Sequence, residues 1–303
     1  MKFSVIIPTY NRGWVIKESV NSALRQNFND YEVIVVVDGS ADDTVEILKE
    51  FNDKIIVLIK ENEGPSQARN FGAKNAKGEY LIFLDDDDVF FPFTLEVYNK
   101  IITAKDYPPF LVGQAIFFSE EKKLVIENKV SSINIVTYKD YFAKDRSIFT
   151  SSSMMVVRKD IFQKIEGFRS LNTKQSLVHE DFHFLLKVGT FGPAVIILEP
   201  RLYGYRTHNQ NSVKDISRVL RSILVLIKEL KTDEKLKYNL RKYGKFLIIG
   251  GTSYYWIKKA LKNGIIIDSM KLLLKSFPMI LLSFLNKIFQ IFRSKVPIER
   301  VKF

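Results

Sequence analysis

Hydrophobic and polar positions change their period at short intervals along the first eighty-five residues. The runs at 2–8 (KFSVIIP), 31–38 (YEVIVVVD), 54–60 (KIIVLIK) and 79–85 (EYLIFLD) are almost continuously apolar. Between them, segments 13–26, 42–51 and 65–76 place apolar residues at helical spacing. The order predicts β-α-β-α-β-α-β, and strands apolar on both faces belong to a sheet covered on both sides. The expected fold is therefore an open, mostly parallel α/β sheet flanked by helices. Three strands end in polar residues, at Thr9-Tyr10-Asn11, Asp38-Gly39-Ser40 and Asp85 to Asp88. Ligands of such sheets collect outside the carboxyl ends of the strands, so the acidic block falls on a predicted binding edge. Part of this polarity reads as helix capping, with Ser40 as cap and Asp43 at the third helical position of a capping box.

Beyond residue 213 the pattern changes. Segments 212–231 and 234–264 read as amphipathic helices, broken at Gly250-Gly251 and at Gly264. Segment 276–295 (SFPMILLSFLNKIFQIFRSK) would be a helix with one narrow polar stripe and a very wide apolar face. Its run Phe277 to Phe292 contains Asn, Lys and Gln and falls short of the ~20 residues of a transmembrane span, which favours a helix lying in a membrane interface. Packing on the remainder of the chain or a second subunit is the alternative.

Composition changes this picture in two respects. The net charge of +12 is unevenly placed: residues 1–200 carry 24 Lys+Arg against 28 Asp+Glu, and residues 201–303 carry 22 against 6. The basic excess thus belongs to the C-terminal third, where Lys and Arg would face anionic headgroups. Nucleic acid is disfavoured as a partner, because no recognition motif accompanies the charge. The absence of cysteine excludes disulfides, zinc-thiolate sites and thiol nucleophiles. No secretory signal is apparent at Met1, and the expected location is cytoplasmic, peripheral on the inner face of the cell membrane.

The candidate chemistry starts from the acidic block. The first strand ends in PTYNRG, with neither the G-x-G-x-x-G of a dinucleotide fold nor a P-loop. Without a glycine nest for phosphate a metal ion is the obvious substitute, and clustered Asp is the hard-oxygen ligand set for Mn²⁺ or Mg²⁺. Without a cation, packed carboxylates would raise one another's pKa.

These motifs resemble those of the family 2 glycosyltransferases, inverting nucleotide-sugar enzymes with the GT-A fold, over roughly residues 3–212. SVIIPTYNR (4–12) is similar to the family's first strand, VVDGSADDT (36–44) to its base-recognition turn, and EGPSQARNFGAKNAKGEYLIFLDDDD (63–88) to its ARN-G helix and D-x-D stretch. EGFR (166–169), HEDFHFLLK (179–187) and YRTHNQNSV (205–213) follow in the family's order. The resemblance implies a catalytic domain over 1–212, with a nucleotide-binding half to about residue 100 and an acceptor half after it, followed by a basic region over 213–303.

It further implies roles by position. Pro8, Thr9, Tyr10, Asn11, Asp38, Arg69, Asp85, Asp86 and Arg206 would contact the nucleotide-sugar, Asp38 through a base N–H and Asp85 near the ribose. Asp87 and His208 would hold the metal. If Asp85 opens the motif, alternation in a still-extended chain puts Asp87 on its side and Asp86 away. Asp181 would be the general base and Glu180 a supporting carboxylate. Asp88 and Arg169 would face the acceptor; Arg169 stands where the family often has an acid. His179 and His183 read as structural, and TSSSMM (150–155) as either a sugar-pocket strand or a buried one. The implied reaction takes a UDP-sugar, favoured over a GDP-sugar by the resemblance, to a glycan or lipid-linked acceptor; a homo-oligomer is compatible with it. A sugar nucleotidyltransferase and a catalytically degenerate scaffold are the rival readings.

Overall fold

The computed structural model describes residues 1–119, 121–125, 130–141, 152–169, 180–209, 211, 214–232, 242–290 and 296–303. Strands and helices β1 (Phe3–Thr9), α1 (Gly13–Leu24), β2 (Tyr31–Asp38), α2 (Thr44–Lys49), β3 (Ile56–Lys60), α3 (Pro65–Asn75) and β4 (Tyr80–Phe83) follow in the order the pattern predicts. β1 pairs in parallel with both β2 and β4, Ile6 lying opposite Ile34 and Phe83. β1 and β4 are buried along their whole length and β2 from Val33 onward, because neighbouring strands and helices cover them. β3 departs from the expectation: it is the last strand of the sheet, and Ile56, Val57 and Ile59 are exposed.

After β4 the sheet becomes mixed. The chain continues through β5 (Val89–Phe90), α4 (Thr94–Ala104), β6 (Phe110–Val112), β7 (Ala115–Phe118), β8 (Ser132–Tyr138), β9 (Met155–Arg158), α5 (Lys159–Lys164), α6 (Glu180–Val188), β10 (Ala194–Glu199) and β11 (Tyr203–Arg206). β9 lies antiparallel between β4 and β6. Its entry turn, Ser152–Met154, thereby reaches the carboxyl end of β4. A small second sheet, β5-β11-β7, brings the end of β11 back to the same edge.

The C-terminal region contains α7 (Ile216–Thr232), α8 (Lys242–Lys262), α9 (Ile266–Gln290) and β12 (Glu299–Lys302). Three expectations are corrected here. α8 runs unbroken through Gly250-Gly251, because Gly250 is where α9 comes closest: a Cβ there would lie 2.0 Å from the Met279 carbonyl oxygen. Gly264, at φ +74°, does end α8. The apolar helix begins ten residues earlier than its composition suggests and carries Pro278 in its interior. The region is also not wholly helical, since β12 joins the edge of the main sheet antiparallel to β8.

Two cores result. The larger surrounds the sheet, and the smaller joins Val219, Ile223 and Ile227 of α7 to Ile249, Trp256 and Leu272. α6 belongs to both, with Phe184, Leu185 and Val188 facing the sheet and Leu186 facing the C-terminal helices. Residues buried on both sides position this helix firmly, which matters because it begins with Glu180 and Asp181.

Candidate active site

The four aspartates do not continue the strand. The Asp88 amide donates to the Asp85 carbonyl at 3.1 Å, closing a turn in which the four carboxylates diverge. Alternation therefore does not apply, and Asp85 and Asp87 take different partners.

Asp85 is held by Arg69. The guanidinium of Arg69, 4% exposed, donates to Asp85 Oδ1 at 2.7 Å and to Glu180 Oε1 at 3.1 Å. Burial opposes its charge, and the two carboxylates outweigh that effect, so Arg69 stays cationic. The Ser152 hydroxyl lies 2.9 and 2.8 Å from the two Asp85 carboxylate oxygens. α3 thus carries the residue that ties the strand-end acid to the first residue of α6. Its neighbour Asn70 holds the EGFR turn, accepting from the Phe168 amide and donating to the Phe168 carbonyl, each at 2.8 Å.

Asp86 faces the end of β1. Arg12 Nε is 3.7 Å from its Oδ1. Burial pushes the Asp86 carboxyl up to about 7, the Asp87 charge adds to the rise, and Arg12 opposes it. Asp87 Oδ2 lies 2.8 Å from His208 Nε2, and Arg206 Nε donates to the Asp87 carbonyl at 2.9 Å. Trp14 meets the His208 ring edge to face, with centroids 5.5 Å apart, and forms an exposed wall beside it.

Asp88 is 1% exposed, accepting from the Ser153 hydroxyl at 2.8 Å and the Arg206 amide at 2.9 Å. Burial, then the charges of Asp87 and Asp85, raise its carboxyl well above the usual range. It anchors β11 to the turn, and its carboxylate, expected at the acceptor, is engaged by these two donors. Arg169, the other residue expected at the acceptor, pairs with Glu229 of α7, close to His183, and so joins the turn after α5 to the C-terminal helices.

At the nucleoside end, the Asn11 amide donates to Ser40 Oγ at 3.0 Å and Asn11 Oδ1 accepts from the Ala41 amide at 2.8 Å. Asn11 has φ 52°, and Tyr10 beside it is exposed. Pro8 is buried within β1, opposite Val36. Asp38 is buried and turned to the loop after β3, accepting from Lys60 Nζ at 3.0 Å and from the Glu63 and Gly64 amides at 3.1 and 2.7 Å. The capping box does not form: Ser40 serves Asn11, and Asp42 receives the Thr44 amide at 3.1 Å and the Gly13 amide at 3.0 Å. Asp43 occupies the N-cap of α2 without a side-chain cap bond.

Asp181 lies beside Glu180 at the start of α6, its Oδ1 accepting from the Phe182 amide at 2.7 Å. Burial pushes its carboxyl up to about 7; the Glu180 charge acts in the same direction, and Arg69 offsets part of the rise. That is a suitable value for a general base near neutral pH. Ser152, Ser153, Asn70, Trp14 and Lys60 were not singled out as site residues by sequence reasoning, although the TSSSMM motif pointed to the two serines. His179 lies outside the described residues.

Among the described residues no group of three or more His, Asp or Glu side chains could hold a metal ion by itself. The Asp87–His208 pair fits a divalent ion shared with a substrate. Its 2.8 Å donor separation is near the ~3.0 Å between adjacent ligands of an octahedral ion with ~2.1 Å bonds, and such ions commonly take one or two protein ligands plus phosphate oxygens.

The fold and this edge define an α/β protein whose acidic strand ends, basic clamp and carboxylate-bearing helix converge at one place. A model of the glycosyl transferase family 2 matches residues 4–166, and the chain belongs to that family. The uncharacterized glycosyltransferase RP339 of Rickettsia prowazekii is 44% identical over 103 residues, covering 34% of this chain and 32% of that protein. Poly(ribitol-phosphate) beta-N-acetylglucosaminyltransferase TarS of Staphylococcus aureus is 28% identical over 261 residues, covering 78% of this chain and 42% of TarS. The chain therefore spans less than half the length of these relatives. The crystal structure of TarS residues 1–349 with UDP-GlcNAc superposes with a TM-score of 0.64 at 19% identity, covering 100% of this chain and 97% of that one. A mannosyltransferase from Pyrobaculum calidifontis, in complex with GDP-Man and Mn²⁺, gives 0.55 at 14% identity, covering 96% and 81%. These likenesses establish the shared fold.

Proposed function

We propose that the chain transfers a sugar from a nucleoside-diphosphate donor, a UDP-sugar in particular, to an acceptor hydroxyl with inversion at the anomeric carbon. The observation that carries this reading is the Arg69 bridge, which holds the strand-end acid Asp85 and the Glu180-Asp181 pair around one space. The nucleoside lies along Pro8 to Asn11 and Asp38, and the diphosphate near Asp87, Arg206 and His208. Asp181 takes the proton of the acceptor hydroxyl as that oxygen bonds to the anomeric carbon. The bond from this carbon to the diphosphate oxygen breaks, and the nucleoside diphosphate leaves with the electron pair. Glu180 and Arg69 position Asp181 and keep neighbouring charge balanced. A Mn²⁺ or Mg²⁺ ion held by Asp87 and His208 would supply charge neutralisation at the leaving diphosphate. The UDP preference is supported by the complex of TarS with UDP-GlcNAc, and a polymeric hydroxyl acceptor by the poly(ribitol-phosphate) in the name of TarS.

The test is Asp181→Asn, which keeps the shape of the site. Turnover should fall by about 10²- to 10⁴-fold while donor affinity changes little, the signature of a lost general base. Turnover at the wild-type level would overturn the assignment of Asp181.

A further inference from the structure

α9 is apolar on two sides. Its buried side carries Ser269, Leu272, Ser276 and Ser283, with Leu273, Met279 and Ile280 packed against the same core, while a second set of large apolar residues faces outward. Ile267, Met270, Leu274, Phe277, Leu281, Phe284 and Ile288 are all exposed, Leu274 at 74%. They recur at alternating steps of three and four, which aligns them in one stripe about 30 Å long at 1.5 Å per residue. Two of the inward serines bond back to their own helix: Ser276 Oγ donates to the Leu272 carbonyl at 2.7 Å and Ser269 Oγ to the Ile265 carbonyl. A stripe of this length greatly exceeds the scattered exposed apolar residues of ordinary surfaces and marks a contact.

Charge selects the occupant. Lys271 and Lys275 are exposed at the margin of the stripe, and Lys258 and Lys262 are exposed on α8. Residues 201–303 hold 22 Lys+Arg against 6 Asp+Glu, so a second copy docked on this face would oppose two strongly basic regions. An anionic lipid surface complements both features. No helix among the described residues is long and apolar enough to cross a membrane, which leaves the interfacial arrangement. We propose that the outward face of α9 lies in the headgroup region of an anionic bilayer, with its flanking lysines on the lipid phosphates.

The experiment is flotation of the full chain with phosphatidylcholine vesicles, with and without about 25% phosphatidylglycerol, at low salt and at ~0.5 M salt. Binding to the anionic vesicles is expected, weaker at high salt and lost in Leu274→Glu. Lys271→Gln and Lys275→Gln should each weaken it by about fivefold, from ~1 kcal/mol per basic residue at the surface. The lysine variants alter only exposed side chains, so they keep the test valid if Leu274→Glu melts abnormally. No binding to anionic vesicles, binding indifferent to the anionic lipid and to both lysines, or a wild-type dimer that Leu274→Glu dissociates in place of vesicle binding would each overturn the proposal.

Discussion

Arg69 and Glu180, 111 positions apart in the chain, are joined by a guanidinium-to-carboxylate bond of 3.1 Å, and the same guanidinium holds Asp85 at 2.7 Å. One buried cation thereby fixes the distance between the acidic edge of the sheet and the helix that carries Asp181. Removing it leaves two carboxylates facing each other in a poorly solvated place. Arg69→Met should lower stability by about 3–5 kcal/mol, as when one partner of a buried pair is deleted. Arg69→Lys should also fail to restore activity, because a point charge cannot donate to both acids with the geometry of the fork. Urea midpoints and turnover of the two variants check this.

The acid limb of the pH profile belongs to Asp181. A general base works deprotonated, and burial, with the Glu180 charge, raises this carboxyl to about 7. The logarithm of kcat/KM should therefore climb with unit slope as pH rises toward about 7 and flatten above it. Asp181→Asn should remove that limb along with most of the rate.

Stability should run in the opposite sense to activity. Asp86, Asp88 and Asp181 all bind their protons more tightly in the folded chain than in the unfolded one, where a carboxyl titrates near ~4. Between about pH 4 and pH 7 the unfolded chain sheds these protons and the folded chain keeps them, so stability falls as pH rises through that window. The melting temperature in EDTA is expected to be lower at pH 7 than at pH 5. Added Mn²⁺ with UDP should lessen the decline, since a bound cation favours the charged carboxylates.

Asn211 holds His208 in place, accepting the His208 amide through Oδ1 at 2.6 Å. Asn211 thereby fixes the backbone that carries the His208 ring, so Asn211→Ala should weaken Mn²⁺-dependent donor binding, by less than His208→Ala does. A titration of UDP binding against Mn²⁺ concentration measures it. If affinity is unchanged in both Asn211→Ala and His208→Ala, the metal assignment at Asp87 and His208 fails.

Gly250 tests the packing of α8 on α9. A methyl group at this position meets the backbone at Met279, which cannot swing aside as a side chain can. Gly250→Ala should cost about 1–3 kcal/mol by overpacking, even though alanine favours helix. Thermal melts of the variant decide the sign.

The first half of the fold was legible because β1, β2 and β4 lie where nearly continuous apolar runs leave little other choice. The gathering of polar residues at one edge was legible for the same reason, since Thr9 and Asp38 end β1 and β2 and Asp85 closely follows β4. What escaped depends on partners distant in sequence. The direction of each aspartate is set by a backbone turn and by Ser152 and Ser153, which arrive on the far side of β9 and follow Asp85 by 67 and 68 positions. The pairing of Arg169 with Glu229 likewise has no local signature. The local rule for a capping box lost to Asn11, which claims Ser40 across the strand ends. β12 has no apolar signature of its own; four residues, Glu-Arg-Val-Lys, become a strand because β8 offers an open edge. The wide apolar face of α9 was legible as composition, but only the packing reveals that the serines turn inward.

The most direct test of the whole account is nucleoside-diphosphate release from a panel of UDP- and GDP-sugars, assayed with Mn²⁺, with Mg²⁺ and with EDTA, in wild type and Asp181→Asn. Release from one donor, a UDP-sugar, that needs the divalent ion and falls by about 10²- to 10⁴-fold in the variant is the expected result. Absence of both binding and release for every donor, or release indifferent to EDTA and to Asp181→Asn, would contradict it.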